Sequence, residues 1–231
     1  CRRAYTVKDK ESDIELEVDN QYIMSPKDLK TILFMDEMIE AGVRVFKIEG
    51  RADVEKLTSL PVVGDIPLAD EKTGSIAVFE NQNNLMSETF RNVRTNLQFM
   101  LENGKNVILV TSTISGEGKS FISANLAISL SLLGKKVVIV GLDIRKPGLN
   151  KVFNIPKKEH GITQYLTNTT ANLMDFVQPS DINKNLFILP GGTVPPNPTE
   201  LLARGGLEKA IETLKANFDY VILDTAPVGM V

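Results

Sequence analysis

Thr113–Ser120 reads TISGEGKS, which fits the phosphate-loop pattern G-x-x-x-x-G-K-[ST] except that Thr113 stands in place of the first glycine. The chemistry this spacing allows is anion binding. Gly116 and Gly118 let backbone N–H groups turn inward, and a helix starting where the loop ends adds its positive N-terminus. Lys119 has the reach for β- and γ-phosphates, and Ser120 is the residue type that ligates Mg²⁺ at this position. Phosphoryl transfer also needs carboxylates at neighbouring strand ends, to hold the metal and manage the proton of a nucleophile. Asp143 closes the apolar run VVIVGLD and Asp224 closes YVILD, so both acids have that placement. Either alone reads equally well as a strand-end turn residue. Three stations at three strand ends point to one site.

Such stations need strands lying side by side, and the chain carries the pattern for them. NVILVTS is a buried strand, SFISANLAISLSLLG a mostly apolar helix, KKVVIVGLD a second buried strand and FDYVILD a third. Leu207, Ala210, Ile211 and Leu214 mark a helix before the third strand, and Asn197-Pro198 with Glu200 opens another. Upstream, Ser87 is expected to cap a helix running to about Glu102, with Phe90, Val93, Leu97, Met100 and Leu101 on one face. Strands alternating with helices predict an α/β fold whose mostly parallel sheet is covered on both faces.

Before that unit the pattern changes. Ser25-Pro26 starts a helix that ends at Ala41-Gly42, and Val43–Ile48 follows as a strand, a single helix–strand fragment. From Leu57 to Asn84 there is little periodicity and several turn signals, as in a connector. VFKIEGRADVEKL (Val45–Leu57) sits where a linker belongs, yet holds no Pro and only one Gly.

Composition narrows the function classes. Net charge is −3, from 26 basic and 29 acidic residues, so no general nucleic-acid or anionic-membrane surface is expected. One cysteine, Cys1, excludes an intrachain disulfide and suits a reducing, cytoplasmic setting. No apolar run approaches the roughly 18 residues that a membrane span needs. His160, the single histidine, lies in a polar loop and reads as a surface residue. Arg145 and Lys146 read either as phosphate contacts or as part of an RKPG turn. Both ends of the chain look cut, since it begins with Cys1 and stops at Val231, just beyond a strand.

VTSTISGEGKSFISANLA, VVIVGLDIRKPGLNKVFN and YVILDTAPVG together resemble the bacterial tyrosine kinases of exopolysaccharide and capsule assembly, as do GGTVPPNPTELL (Gly191–Leu202) and SETFRNVRTNL (Ser87–Leu97). The resemblance covers about residues 50–231 and implies a P-loop nucleotide fold shared with the partitioning ATPases. It implies ATP and Mg²⁺ as cofactors and a nucleotide-binding set of Gly116, Glu117, Gly118, Lys119, Ser120 and Phe121. Lys119 and Asp143 would be catalytic, and Ser120, Asp143 and Asp224 would hold the metal. Glu88, Arg91 and Arg94 match the family's E-x-x-R-x-x-R helix, which implies subunit contact in a homo-oligomeric ring; as bare sequence they read as a solvated helix face. The parent kinases work at the cytoplasmic face of the membrane with polysaccharide export machinery.

The chain departs from that pattern in places. Gly141 stands where the first acid of the D-x-D motif is usual, which leaves Asp143 to serve alone. Ser115 occupies a position that is often Pro. Ile114 stands where partitioning ATPases carry a second, signature lysine. The tyrosine-rich tail of the kinases is absent; the tyrosines are Tyr5, Tyr22, Tyr165 and Tyr220.

Residues 1–52 resemble a different family. CRRAYTV, LEVDNQYIMSPKDLKTI and GVRVFKIEGRA are similar to an internal slice of the collagenase-like peptidases, some linked to RNA hydroxylation. One cysteine cannot build a metal site of about four ligands, so no chemistry is expected from this slice. The expected division is therefore 1–52 peptidase-like, 53–84 connector and 85–231 nucleotide-binding domain. Both halves can claim Lys47–Ala52, which makes Val45–Leu57 an overlap of the kind where two genes are joined. Three other readings compete with the kinase: a partitioning-type ATPase, a non-catalytic ring-forming regulator of polysaccharide assembly, and an inactive fragment. The last expects weak ATP affinity, because strands that should follow the third motif are missing.

Overall fold

The computed structural model describes residues 5–8, 15–18, 44–48, 62–69, 74–101, 106–156, 160–168, 170–196, 198–202 and 205–228. The helix expected between Ser25 and Ala41 lies outside the described residues, as does the overlap beyond Ile48. Strands β1 (Tyr5–Lys8) and β2 (Glu15–Val18) form an antiparallel pair with Tyr5 opposite Val18. Strand β3 (Arg44–Ile48) belongs to the main sheet.

The remaining elements follow in chain order as helix α1 (Leu85–Met100), β4 (Val107–Ser112), α2 (Lys119–Ser131), β5 (Val137–Gly141), α3 (Leu149–Val152) and α4 (Ile162–Thr167). A 3-10 turn (Leu173–Phe176), β6 (Gln178–Pro179), β7 (Leu186–Leu189), α5 (Pro198–Leu202), α6 (Gly206–Asn217) and β8 (Tyr220–Asp224) complete it. The six-stranded sheet has the order β3-β4-β8-β5-β7-β6, parallel throughout except that β6 runs antiparallel to β7.

Alternation along the strands explains the burial on both faces. Val107 and Leu109 join Val138, Val140, Val221 and Leu223 in one core, which α4 and α6 cover with Ile162, Tyr165, Leu207, Ala210 and Leu214. Ile108 and Val110 join Val137, Ile139 and Ile222 in the other, covered by Phe90, Val93 and Leu97 of α1 and Ala124, Ala127 and Ile128 of α2. The α/β sandwich expected from the sequence is the one observed.

Three details differ from expectation. Asn84 caps α1, its Oδ1 accepting the Ser87 N–H at 2.8 Å, and Ser87 is buried in the first turn. Asn is as good a cap as Ser and comes first in the chain. Met100 is exposed at the end of α1, so the apolar face closes at Leu97 with Leu101 packed beside it. Strand β7 was not expected, because a four-residue run between Asn185 and Pro190 is too short for its period to declare itself.

Strand β3 pairs in parallel with β4, from Arg44 opposite Ile108 to Ile48 opposite Ser112. A segment read as peptidase-like thus supplies the strand beside the phosphate-loop strand. The stretch before α1 is tied to α2 by Asn125, which is fully buried. Its Oδ1 accepts the N–H groups of Ala77 (2.7 Å) and Val78 (3.1 Å), and its Nδ2 donates to the carbonyls of Ser75 (3.2 Å) and Phe121 (2.8 Å). All the bonding capacity of that amide is used. Asn125→Leu would strand two backbone N–H groups in the interior and should lower stability by about 2–4 kcal/mol, read from urea unfolding midpoints.

Candidate functional site

The strand order builds the site. Chain leaving β4 passes through α2 to β5, two positions away, and β8 fills the gap between them. Asp224 is therefore paired with Val110 on one side and Gly141 on the other. The loop after β4, the residues after β5 and the end of β8 meet at the C-terminal edge of the sheet, where open α/β sheets bind ligands.

Gly116 and Gly118 adopt φ of 94° and 87°, in the left-handed region that the loop requires. Gly118 precedes α2 without any side-chain cap, which leaves the helix end to its backbone amides. Lys119 opens the helix and is 7 % exposed. Phe121 turns its ring to the core, edge-on to Phe90 at 6.0 Å. Glu117 turns inward: its Oε2 accepts the N–H groups of Thr113 (2.9 Å) and Ile114 (3.0 Å) of its own loop. Ile114 is exposed.

Asp224 is the hub. It is 1 % exposed, and its Oδ2 accepts the Ser120 hydroxyl at 2.7 Å while Oδ1 accepts the Ser123 hydroxyl at 3.2 Å. Its main-chain carbonyl accepts the N–H groups of Leu142 (2.8 Å) and Asp143 (3.0 Å). Burial is the main influence on its carboxyl and pushes the pKa up to about 6. The two hydroxyls and Lys119 oppose that rise, and the Asp143 carboxylate adds to it. Asp143 is 8 % exposed, with Oδ1 accepting the Lys146 N–H at 3.0 Å. That bond makes the Asp143–Lys146 stretch a side-chain-closed turn. Arg145, Lys146 and His160 are exposed.

Two contributors were not singled out from the sequence. Ser123 lies one helical turn beyond Ser120, and that i, i+3 spacing was the available signal. Gly148 had none. A Cβ there would lie 2.4 Å from Ser120 Oγ, so the turn after Asp143 presses its backbone onto the phosphate-loop serine. Gly148→Ala should rotate that hydroxyl off Asp224 and weaken Mg-ADP binding by roughly tenfold, measured by titration calorimetry.

The residues fit the implied group. Ser120 and Asp224 present hard oxygen donors in contact, with Asp143 beside them, which suits Mg²⁺ held by one or two carboxylates plus substrate phosphates. Gly141 ends β5 hard against another backbone, since a Cβ there would lie 3.0 Å from the Gly191 nitrogen.

The charged triad of α1 divides. Glu88 and Arg91 pair with each other, and Arg91 also donates to Asn83 Oδ1 at 3.1 Å. Arg94 turns toward α2, where Nη1 donates to the Ser129 carbonyl at 2.8 Å. Burial first, and then Arg91, lower the pKa of its guanidinium. A cavity of about 200 Å³ opens beside Arg91 and Arg94, bounded by Phe79 and Leu133. Among the described residues no helix is long and apolar enough to cross a membrane.

Two family models match the chain, "Peptidase family U32" over residues 1–62 and "AAA domain" over residues 105–230. Tyrosine-protein kinase CpsD of Streptococcus agalactiae is 39% identical over 144 residues, 62% of this chain and 62% of that protein. The chain thus spans under two thirds of that relative's length. The putative tyrosine-protein kinase CapB of Staphylococcus aureus is 33% identical over 155 residues, 67% of each. The crystal structure of the chimerical protein CapA2B2 superposes with a TM-score of 0.68 at 36% identity, covering 78% of this chain and 76% of that one. At the other end, a collagenase of Porphyromonas gingivalis is 75% identical over 52 residues, 22% of this chain and 13% of that protein. The chain belongs to the AAA domain family by its residues 105–230 and to the bacterial tyrosine-protein kinases, joined at its N-terminus to a stretch similar to peptidase family U32.

Proposed function

We propose that the chain carries an ATP- and Mg²⁺-dependent protein-tyrosine kinase domain of the capsule and exopolysaccharide type. The observation that carries this reading is the contact of Ser120 with the buried Asp224, with Lys119 and Asp143 beside it where β4, β8 and β5 end. The backbone of Gly116–Gly118 and the first turn of α2 bind phosphate oxygens, and Lys119 reaches the β- and γ-phosphates. Ser120, Asp143 and Asp224 hold Mg²⁺, which when bound neutralises charge on the transferring phosphoryl group. Asp143 also faces the attacking hydroxyl and accepts its proton, as Gly141 has no side chain for that role. The acceptor in this proposal is a tyrosine hydroxyl of a neighbouring protein molecule.

Residues 85–231 form the kinase domain in this proposal, 53–84 its connector and 1–52 a passenger, except that β3 (Arg44–Ile48) adds the edge strand beside β4. Glu88 and Arg91 make the contact between copies in a ring, and Arg94 supports it by fastening α1 to α2. The domain works at the cytoplasmic face of the membrane with polysaccharide export machinery. The test is Lys119→Met, assayed for phosphotyrosine on a glutamate–tyrosine copolymer with ATP and Mg²⁺; undiminished labelling would sink the proposal.

Gly141 favours a second reading, a non-catalytic ring-forming regulator. Under it, the unaltered chain yields no phosphotyrosine, yet its association is nucleotide-independent and lost in Arg91→Ala.

A further inference from the structure

A phosphate-binding loop gains nothing from a negative side chain at its centre unless that charge is turned to another use. Glu117 lies between the two left-handed glycines, Gly116 and Gly118. Its Oε2 takes the N–H groups of Thr113 at 2.9 Å and Ile114 at 3.0 Å. These donors lie four and three residues back, so the contact folds the loop onto its own beginning. Ile114 is gripped on both sides, because its carbonyl also accepts the Ser112 hydroxyl at 2.8 Å. Ser112 is anchored in turn, its carbonyl accepting the Val228 N–H at 2.9 Å.

We infer that Glu117 is a positioning residue: its carboxylate clamps Thr113 and Ile114, and so holds the loop in its anion-binding shape before any nucleotide arrives. The clamp has two consequences. It engages the amides at the start of the loop, leaving those of Gly116–Gly118 and the first turn of α2 as the donors for phosphate. It also commits one carboxylate oxygen, Oε2, to two N–H groups, and charge-assisted bonds of this kind are the strong ones. A loop that begins with Thr113 instead of the usual glycine is thereby given a defined start. The consequence for nucleotide rests on the kinase reading; the clamp itself does not.

Hydrogen exchange on the full chain without nucleotide tests the clamp. Glu117→Ala should speed exchange at Thr113 and Ile114 by about tenfold or more. Glu117→Gln, which keeps an acceptor oxygen at the same place, should restore most of the protection. Unchanged exchange in the alanine variant would overturn the inference, as would a glutamine variant no better than alanine. If the alanine variant fails to fold, the glutamine variant decides alone, through protection matching or losing that of the parent. Calorimetry with Mg-ADP then reads the consequence. The alanine variant should bind about tenfold more weakly or worse, and glutamine should recover to within about threefold. Equal binding by parent and alanine variant overturns the positioning role. A parent chain that does not bind Mg-ADP refutes the nucleotide reading instead, and leaves the exchange result to judge the clamp.

Discussion

Lys119→Met should reduce ATP-dependent phosphotyrosine by about a thousandfold while the chain melts at nearly the same temperature. Methionine reproduces the length and most of the volume of the lysine stem, so a side chain that is only 7 % exposed can be replaced without leaving a cavity. What disappears is the positive charge at the start of α2, in a site where low dielectric makes charge count for more. The loss acts twice. The β- and γ-phosphates lose a partner, and Asp224 loses a neighbour that holds its pKa down. The Asp224 carboxyl therefore rises further, and less of it is ionised to hold Mg²⁺ at neutral pH. Labelling with ATP and Mg²⁺, alongside melting curves of both proteins, separates loss of chemistry from loss of fold.

Asp224→Asn should do the reverse of what most substitutions at a buried site do. It should stabilise the nucleotide-free chain and abolish its response to Mg²⁺. The Asp224 pKa is raised to about 6, chiefly by burial, so the folded state prefers the protonated carboxyl. The folded chain then binds more protons than the unfolded chain between about pH 4 and 6. Stability from this group is full below about pH 4 and is lost as pH rises through about 6. Above that, the ionised carboxylate costs on the order of 3 kcal/mol, which the Ser120 and Ser123 hydroxyls and Lys119 limit but do not remove. Asn has the same shape and no charge, so at pH 7.5 the variant should gain roughly 1–3 kcal/mol in urea unfolding, and at pH 4 almost nothing. Binding of Mg²⁺ should follow the opposite course in the unaltered chain. It should strengthen as pH rises from 5 to 7, by up to about tenfold, as the carboxylate forms. A variant destabilised at pH 7.5, or Mg²⁺ affinity flat across that range, would contradict this account.

Much of the candidate site was legible because a phosphate-loop pattern is carried by local sequence. A glycine-containing loop between an apolar strand and an apolar helix can be read from eight residues, and Asp143 and Asp224 declare themselves as the first acids after strands. Helix α1 was legible for a similar reason, since Phe90, Val93 and Leu97 recur at helical spacing. The misses share a different cause. Glu117 looked like one more residue of the cradle, and nothing in its spacing said that its carboxylate would turn back to Thr113 and Ile114. The triad Glu88, Arg91 and Arg94 looked uniform, yet one member bonds to another helix and the other two pair with each other. Strand β3 read as part of a separate fragment, because nothing in five residues states which strand they will lie beside.

From the sequence alone came the α/β class, the loop, the two acids and the fact that two unrelated pieces share one chain. Each is carried by residues close together, where propensity, turn chemistry and hydrophobic period act over a few positions. Only the tertiary structure decided that β8 lies between β4 and β5, which brings Asp224 to Ser120 across 104 positions of sequence. It alone decided that Gly148 presses on that serine and that Asn125 ties the stretch before α1 to α2. Those contacts depend on which surfaces meet once the apolar faces of the sheet are covered, and a choice among surfaces leaves no local mark on the chain.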